Sequence, residues 1–136
     1  MFSFQELYDY PKYGVPFKRG SKYYYSANSG LLNQNVYYSI ESIDSNDPKV
    51  FLDPNTLSSD GTTSLQFTSF SKDGKYCAYG ISEGGSDWIT IKIKDTDTLE
   101  DLSESLNKIK FSSTAWTHDN LGFFYAVIIN HFNIYY

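Results

Sequence analysis

Gly84-Gly85-Ser86 is the stretch of this chain that comes nearest to a serine nucleophile flanked by glycines. A working serine nucleophile needs a sharp strand-to-helix turn, a histidine base and a carboxylate that orients the base. Gly84-Gly85-Ser86 sits between two strands rather than before a helix. It breaks two alternating runs and is followed by Asp87-Trp88, so it reads as a hairpin turn. His118 follows Trp116-Thr117 inside a turn-forming stretch and reads as a turn or cap residue, and His131 has no argued role. Two histidines without a cysteine cluster do not make a metal site, so neither metal nor cofactor is expected. No P-loop or dinucleotide fingerprint is present. Glu100, Asp101 and Glu104 read as a solvated acidic run rather than a paired acid and base. Cys77 lies between Tyr76 and Ala78 with no cation flanking it, which reads as a small buried hydrophobe.

The elements around these residues are strands. Gln66 to Lys94 reads as three strands joined by two tight turns. Phe67 to Phe70 leads into Ser71-Lys72-Asp73-Gly74. Lys75 to Ile81 alternates until Ser82 to Ser86 breaks it. Trp88 to Lys94 alternates again, with Trp88, Thr90, Lys92 and Lys94 on one face and Ile89, Ile91 and Ile93 on the other. Asp-Gly and Gly-Gly supply the positive φ angles that tight hairpins require.

Upstream, Met1 to Tyr8 reads as a frayed helical end and Asp9 to Pro16 as an irregular extended entry. Phe17 to Lys22 is a turn, Tyr23 to Ala27 a strand, and Asn28-Ser29-Gly30 a further turn. Strands follow at Val36 to Ile43 and Val50 to Leu52, then a polar connection at Leu57 to Thr63. Asp95 to Lys108 reads as an edge-like strand plus a loop, with a short helix as the competing reading. Ile109 to Tyr125 begins strand, turn and strand again.

A repeat organises these elements. Phe70-Ser71-Lys72-Asp73-Gly74-Lys75-Tyr76 matches Trp116-Thr117-His118-Asp119-Asn120-Leu121-Gly122-Phe123, and Phe17 to Tyr23 is a fainter copy. The spacing of about 45 to 55 residues is that of a four-stranded propeller blade. The expected fold is therefore all-β, a partial β-propeller of about two antiparallel blades and the start of a third. An antiparallel sandwich with similar hairpins is the alternative. A closed ring needs about four blades or more, so the repeat predicts a fragment or one part of an assembly.

Composition narrows the class. The chain has 136 residues with a net charge of -5, which argues against a nucleic-acid partner. Aromatics make up 18 %, a composition suited to pleated, half-buried surfaces. No apolar run has the length of a membrane span, and the acidic start MFSFQELYDY is not a signal peptide. The single cysteine permits no internal disulfide and fits a reducing, cytoplasmic setting.

Four stretches carry a resemblance: ELYDYPKYGVPFKRGSKYYYSANSGLLNQNVYY, VFLDPNTLSSDGT, FSKDGKYCAYGISEGGSDWITIKIKD and KIKFSSTAWTHD. In this order, over about Glu6 to Tyr125, they resemble the opening of the propeller in the prolyl oligopeptidase family. The resemblance implies a seven-bladed propeller capping an α/β-hydrolase domain that cleaves short peptides after proline with a Ser-Asp-His triad. It implies that Phe111 lines the substrate pocket from the propeller side. It also implies that Asp87 pairs with a substrate-binding arginine of the hydrolase domain. On these grounds residues 1–125 are expected to form the partial propeller, and 126–136, AVIINHFNIYY, an unmatched apolar tail. With the hydrolase domain missing, the chain is expected to be non-catalytic alone, its partners being that domain and short proline-containing peptides. The alternative function is a small interaction module that self-associates or binds a partner.

Overall fold

The computed structural model describes residues 8–110 and 113–127. Among the described residues, eleven strands form three antiparallel sheets, joined by little else than turns. The first sheet holds β1 (Lys12–Tyr13), β2 (Phe17–Arg19), β3 (Lys22–Asn28), β4 (Val36–Ile40) and β5 (Lys49–Leu52). Both β1 and β2 pair with β3, so they act as one edge strand interrupted near Pro16. Proline lacks the N–H that an unbroken ladder needs. The second sheet is a four-stranded meander of β6 (Ser64–Phe70), β7 (Tyr76–Ser82), β8 (Trp88–Asp95) and β9 (Asp101–Lys110). β10 (Thr114–Trp116) and β11 (Phe123–Tyr125) begin a third sheet. This is the expected pattern of two blades and the opening of another.

The strand bounds differ from the sequence reading in places. Phe17–Arg19, read as turn, forms β2, because Phe17 packs on Tyr24 and Phe70 at 5.9 and 5.7 Å between centroids. β4 stops at Ile40, and Ile43 is exposed. Asp95 to Lys108 resolves in favour of the edge strand, and Ile109 and Lys110 complete β9 rather than open the next repeat. The helical end read at 1–8 falls almost entirely outside the described residues.

Packing explains why β7 is buried from Cys77 to Ser82. Cys77, Tyr79 and Ile81 on one face join Tyr24, Phe51 and Leu52 of the first sheet. On the other face Ala78 joins Ile91 and Ile109, and Trp116 and Phe123 of the third sheet close over them. The second sheet is thus covered on both faces by its neighbours. At Gly80 any Cβ would stand 2.4 Å from the Phe67 ring, so the close fit demands glycine.

The repeat is visible atom by atom. Ser71 Oγ donates to Asp73 Oδ1 at 2.6 Å, and Thr117 Oγ1 donates to Asp119 Oδ1 at 2.6 Å. Ser71 N donates to Tyr76 O at 2.8 Å, and Thr117 N to Gly122 O at 2.9 Å. Gly74 and Asn120, at equivalent places, both take positive φ, +77° and +61°. The turns also touch one another. Asn120 Oδ1 accepts from Lys72 N at 2.8 Å, and a Cβ on Gly74 would stand 2.5 Å from Gly20 N.

Gly74→Ala should therefore cost about 2 to 4 kcal/mol, a left-handed alanine plus a clash with backbone that cannot step aside. Gly84 has φ +56° but open space around it, so Gly84→Ala should cost only about 1 kcal/mol. Urea midpoints of the two variants check this, and equal losses would mean that the turn contact carries no energy. The turn carboxylates add a pH dependence. The Ser71 hydroxyl, and then Lys75 N, holds Asp73 below the usual carboxylate range, and Thr117 with Leu121 N does the same for Asp119. A lowered folded pKa gives stability that is complete above the ordinary value near 4 and lost as pH falls through the folded value. The Asp73→Asn variant should thus show a shallower loss of melting temperature below about pH 4 than the parent chain.

Candidate functional site

The two ends of the sheets differ in kind. One end carries the repeated turns at Gly20, Gly74 and Asn120. The other carries the β3–β4 and β7–β8 loops and the connection from β5 to β6. Asn28 Oδ1 accepts from Gly30 N and Leu32 N at 2.9 and 3.2 Å, which shapes the first loop. Gln34 ties that loop to the second blade, donating to Thr63 O and accepting from Leu65 N, both at 2.8 Å. Asn55 Nδ2 donates to Gln34 O at 2.9 Å. Asp53 caps the short 3-10 turn Pro54–Thr56 by accepting from Asn55 N.

Asp87 stands at this end, in the β7–β8 loop. Its Oδ2 lies 3.0 Å from Lys110 Nζ, and its side chain is 62 % exposed. Lys110 is reached because β8 and β9 pair in the register Trp88↔Lys110. The same ammonium lies 5.7 Å from the centroid of the Trp88 ring. Tight bends place the loop: Ser86 N donates to Glu83 O at 3.0 Å, Trp88 N to Ser86 Oγ at 3.1 Å, and Gly84 N to Thr62 O at 3.1 Å. Phe111 lies outside the described residues and follows Lys110 directly in the chain. Sequence reading missed Lys110 and Trp88. The signal that points to them is cross-strand register, which needs the bulges of β9 to be known.

The remaining candidates separate. Ser86 sits in the β7–β8 loop, while His118 lies in the β10–β11 turn at the opposite end of the seven-residue β7, roughly 20 Å away. His118 Nδ1 is 3.2 Å from Lys72 Nζ, a turn-to-turn contact. His131 lies outside the described residues. Glu100, Asp101 and Glu104 are all exposed, as the solvated run requires, but Asp101 is also engaged with other strands. Asp101 accepts from Tyr79 Oη at 2.7 Å and pairs with Lys94 at 2.9 Å. Lys94, read on a polar face, is only 9 % exposed, and its ammonium also donates to Leu99 O at 3.1 Å. Burial, and then the Asp101 bond, pushes the Tyr79 hydroxyl far up, so it stays protonated as the donor. Among the described residues no group of three His, Cys, Asp or Glu side chains is placed to hold a metal ion, and no helix is long and apolar enough to cross a membrane.

Comparison with known proteins matches this geometry to one family. The family model for the prolyl oligopeptidase N-terminal beta-propeller domain covers residues 3–130. The chain is 46 % identical over 121 residues to the prolyl endopeptidase of Elizabethkingia meningoseptica, covering 89 % of this chain and 17 % of that protein. It is 40 % identical over 143 residues to prolyl oligopeptidase A of Galerina marginata, covering 90 % of this chain and 19 % of that protein. Among solved structures, prolyl oligopeptidase B of Galerina marginata bound to a 25-residue macrocyclization substrate matches with a TM-score of 0.81 at 32 % identity, covering 90 % of this chain and 20 % of that one. A chain from a study of two prolyl endopeptidases matches with a TM-score of 0.78 at 35 % identity, covering 93 % of this chain and 18 % of that one. The chain thus spans under a fifth of the length of these curated relatives.

Cys77 offers a check on what is buried. Its side chain is fully enclosed and desolvation pushes the thiol up to about 12. The folded chain at pH 8 should therefore resist iodoacetamide, and labelling should appear only with denaturant. Labelling at the rate of a free thiol under native conditions would contradict the packing of β7 against the first sheet.

Proposed function

The chain belongs to the prolyl oligopeptidase family through its N-terminal beta-propeller domain, and on that premise we propose that its blades gate and line the substrate chamber of a serine peptidase. The substrates in this reading are short peptides cut after proline. The triad comes from an α/β-hydrolase domain facing the loop end of the sheets. One observation carries the reading beyond family membership: Asp87 meets Lys110, the residue before Phe111. Asp87 thus stands beside the last described residue before Phe111 in the chain, at the sheet end away from the repeated turns.

The chemistry follows from the groups. The Asp87 carboxylate is exposed enough to accept a charge-assisted bond from a guanidinium across a domain boundary. Such a bond fixes an arginine that itself holds the substrate. Phe111 offers an apolar wall near the proline. Neither takes part in bond breaking, so both act on binding and orientation. A cytoplasmic setting fits the single buried thiol.

The test replaces the matching segment of the Elizabethkingia meningoseptica enzyme with residues 3–130 of this chain. The chimera should cleave a proline reporter peptide. Phe111→Ala should cost about 1 to 3 kcal/mol in kcat/KM, mostly through KM, since the wall touches substrate and transition state alike. Asp87→Asn should also raise KM while the melt is unchanged. A folded chimera that binds no peptide would favour the interaction module instead. Equal loss on short and long peptides through less folded enzyme would make Phe111 a core residue.

A further inference from the structure

Asp87 is placed by a loop that has little else to hold it. Gly84 and Gly85 take positive φ, +56° and +71°, and nothing lies within 4 Å of the position of a Cβ on either. Residues 83 to 88 are exposed. The bonds at Ser86 N and Trp88 N are local, Gly84 N bonds to Thr62 O, and Trp88 opens the β8–β9 ladder opposite Lys110, which leaves Asp87 just outside the ladder. Such a loop opens at small cost unless a side chain anchors it.

Lys110 is that anchor. Its side chain is 26 % exposed, while that of Asp87 is 62 % exposed, so the lysine is the more enclosed partner. It stands between the carboxylate at 3.0 Å and the indole ring at 5.7 Å. Both contacts come from successive residues: the β8–β9 ladder already sets Trp88 opposite Lys110, and the ammonium ties Asp87, one residue outside the ladder, to the same strand end. On the other strand, the next residue is Phe111. The ion pair therefore joins Asp87 to the end of the strand that precedes Phe111 in the chain.

We propose that Lys110 is a positioning residue for peptide substrate: clamped between Asp87 and Trp88, it holds the β7–β8 loop at a fixed spacing from the strand end that leads into Phe111. This rests on the peptidase reading above. Lys110 touches neither substrate nor reacting atoms. It acts by keeping Asp87 aimed outward through one oxygen while the other meets a cation from a facing domain. The competing role is that Lys110 sequesters Asp87, in which case removing its charge would tighten substrate binding.

Two measurements decide. In the 136-residue chain, Lys110→Met keeps the aliphatic stem over Trp88 and removes the charge. Hydrogen exchange at Gly84, Ser86 and Trp88 amides should rise about two- to fivefold, the size an exposed ion pair supports, with core amides of β7 unchanged. Lys110→Arg should restore protection. In the chimera, Lys110→Met should raise KM for a proline peptide by about two- to fivefold with kcat nearly unchanged, and Lys110→Arg should rescue it. A merely structural role would lower the concentration of active enzyme and leave KM alone. An active chimera whose KM ignores Lys110→Met, or falls, overturns the positioning role while leaving the peptidase reading intact. Unchanged loop exchange in the chain overturns the clamp itself. A chimera that folds but does not cleave removes the peptidase reading and the substrate role of Lys110 with it.

Discussion

Gly20 and Gly74 touch through their backbones, and the arrangement of the blades depends on that contact. A Cβ on Gly74 would stand 2.5 Å from Gly20 N and 2.7 Å from Arg19 C, and a Cβ on Gly20 would stand 2.5 Å from Asp73 O. Both residues also need positive φ. Side chains would hold the turns apart and splay the sheets. With glycine at both places, Phe17, Tyr24, Phe51 and Phe70 close into one aromatic cluster, their centroids 4.6 to 5.9 Å apart. Apolar burial between blades is thus conditional on a backbone approach at one end.

The next junction solves the same problem with different residues. Asn120 replaces glycine, accepts a positive φ that asparagine tolerates, and uses its side-chain oxygen to take the N–H groups of Lys72 and Asp73. Trp116 Nε1 adds a bond to Ser69 O at 3.0 Å, so its ring lies on the sheet with its polar atom satisfied. Steric permission at one junction becomes hydrogen bonding at the next. The outer strand β9 is kept by other means. It is mostly exposed, and its buried contribution is Ile109 together with the Asp101 bonds to Tyr79 and Lys94. Burying Lys94 is tolerable because its charge and donors are met at once.

Much of this was legible from residues alone. The turn chemistry of Ser71-Lys72-Asp73-Gly74 and its copy at Thr117 predicted blades, because each residue type has one mechanical task in that turn. Alternation from Trp88 to Lys94 located β8 to within a residue. The limits were also physical. Phe17–Arg19 looks like a turn in sequence and becomes a strand through aromatic contacts with residues far along the chain. Asp101 looks solvated because its partners, Tyr79 and Lys94, lie on other strands. For the same reason the Asp87–Lys110 pair was invisible: register shifts between Ile89 and Ile91 and between Lys92 and Lys94 decide which residue of β9 faces Trp88. Pattern reading sees periods, and bulges alter the period without a strong sequence sign.

The division between the two sheet ends bears on how function is carried. Where Gly20 meets Gly74, backbone meets backbone, and few substitutions are tolerated because no side chain stands ready to yield. At the loop end, contacts run through side chains: Gln34, Asn55, Asp87 and Lys110. Side-chain contacts can be exchanged one at a time without disturbing the stacking of blades. A propeller built this way has its rigidity at one end and its chemical variety at the other, the arrangement expected where loops on a fixed scaffold meet a ligand. The glycine contact at the far end thus governs the site indirectly. It fixes the angle between sheets, and through seven residues of β7 it fixes where the β7–β8 loop begins. Lys110 then has only the last few ångströms of Asp87 placement to settle, a task within reach of a single ion pair.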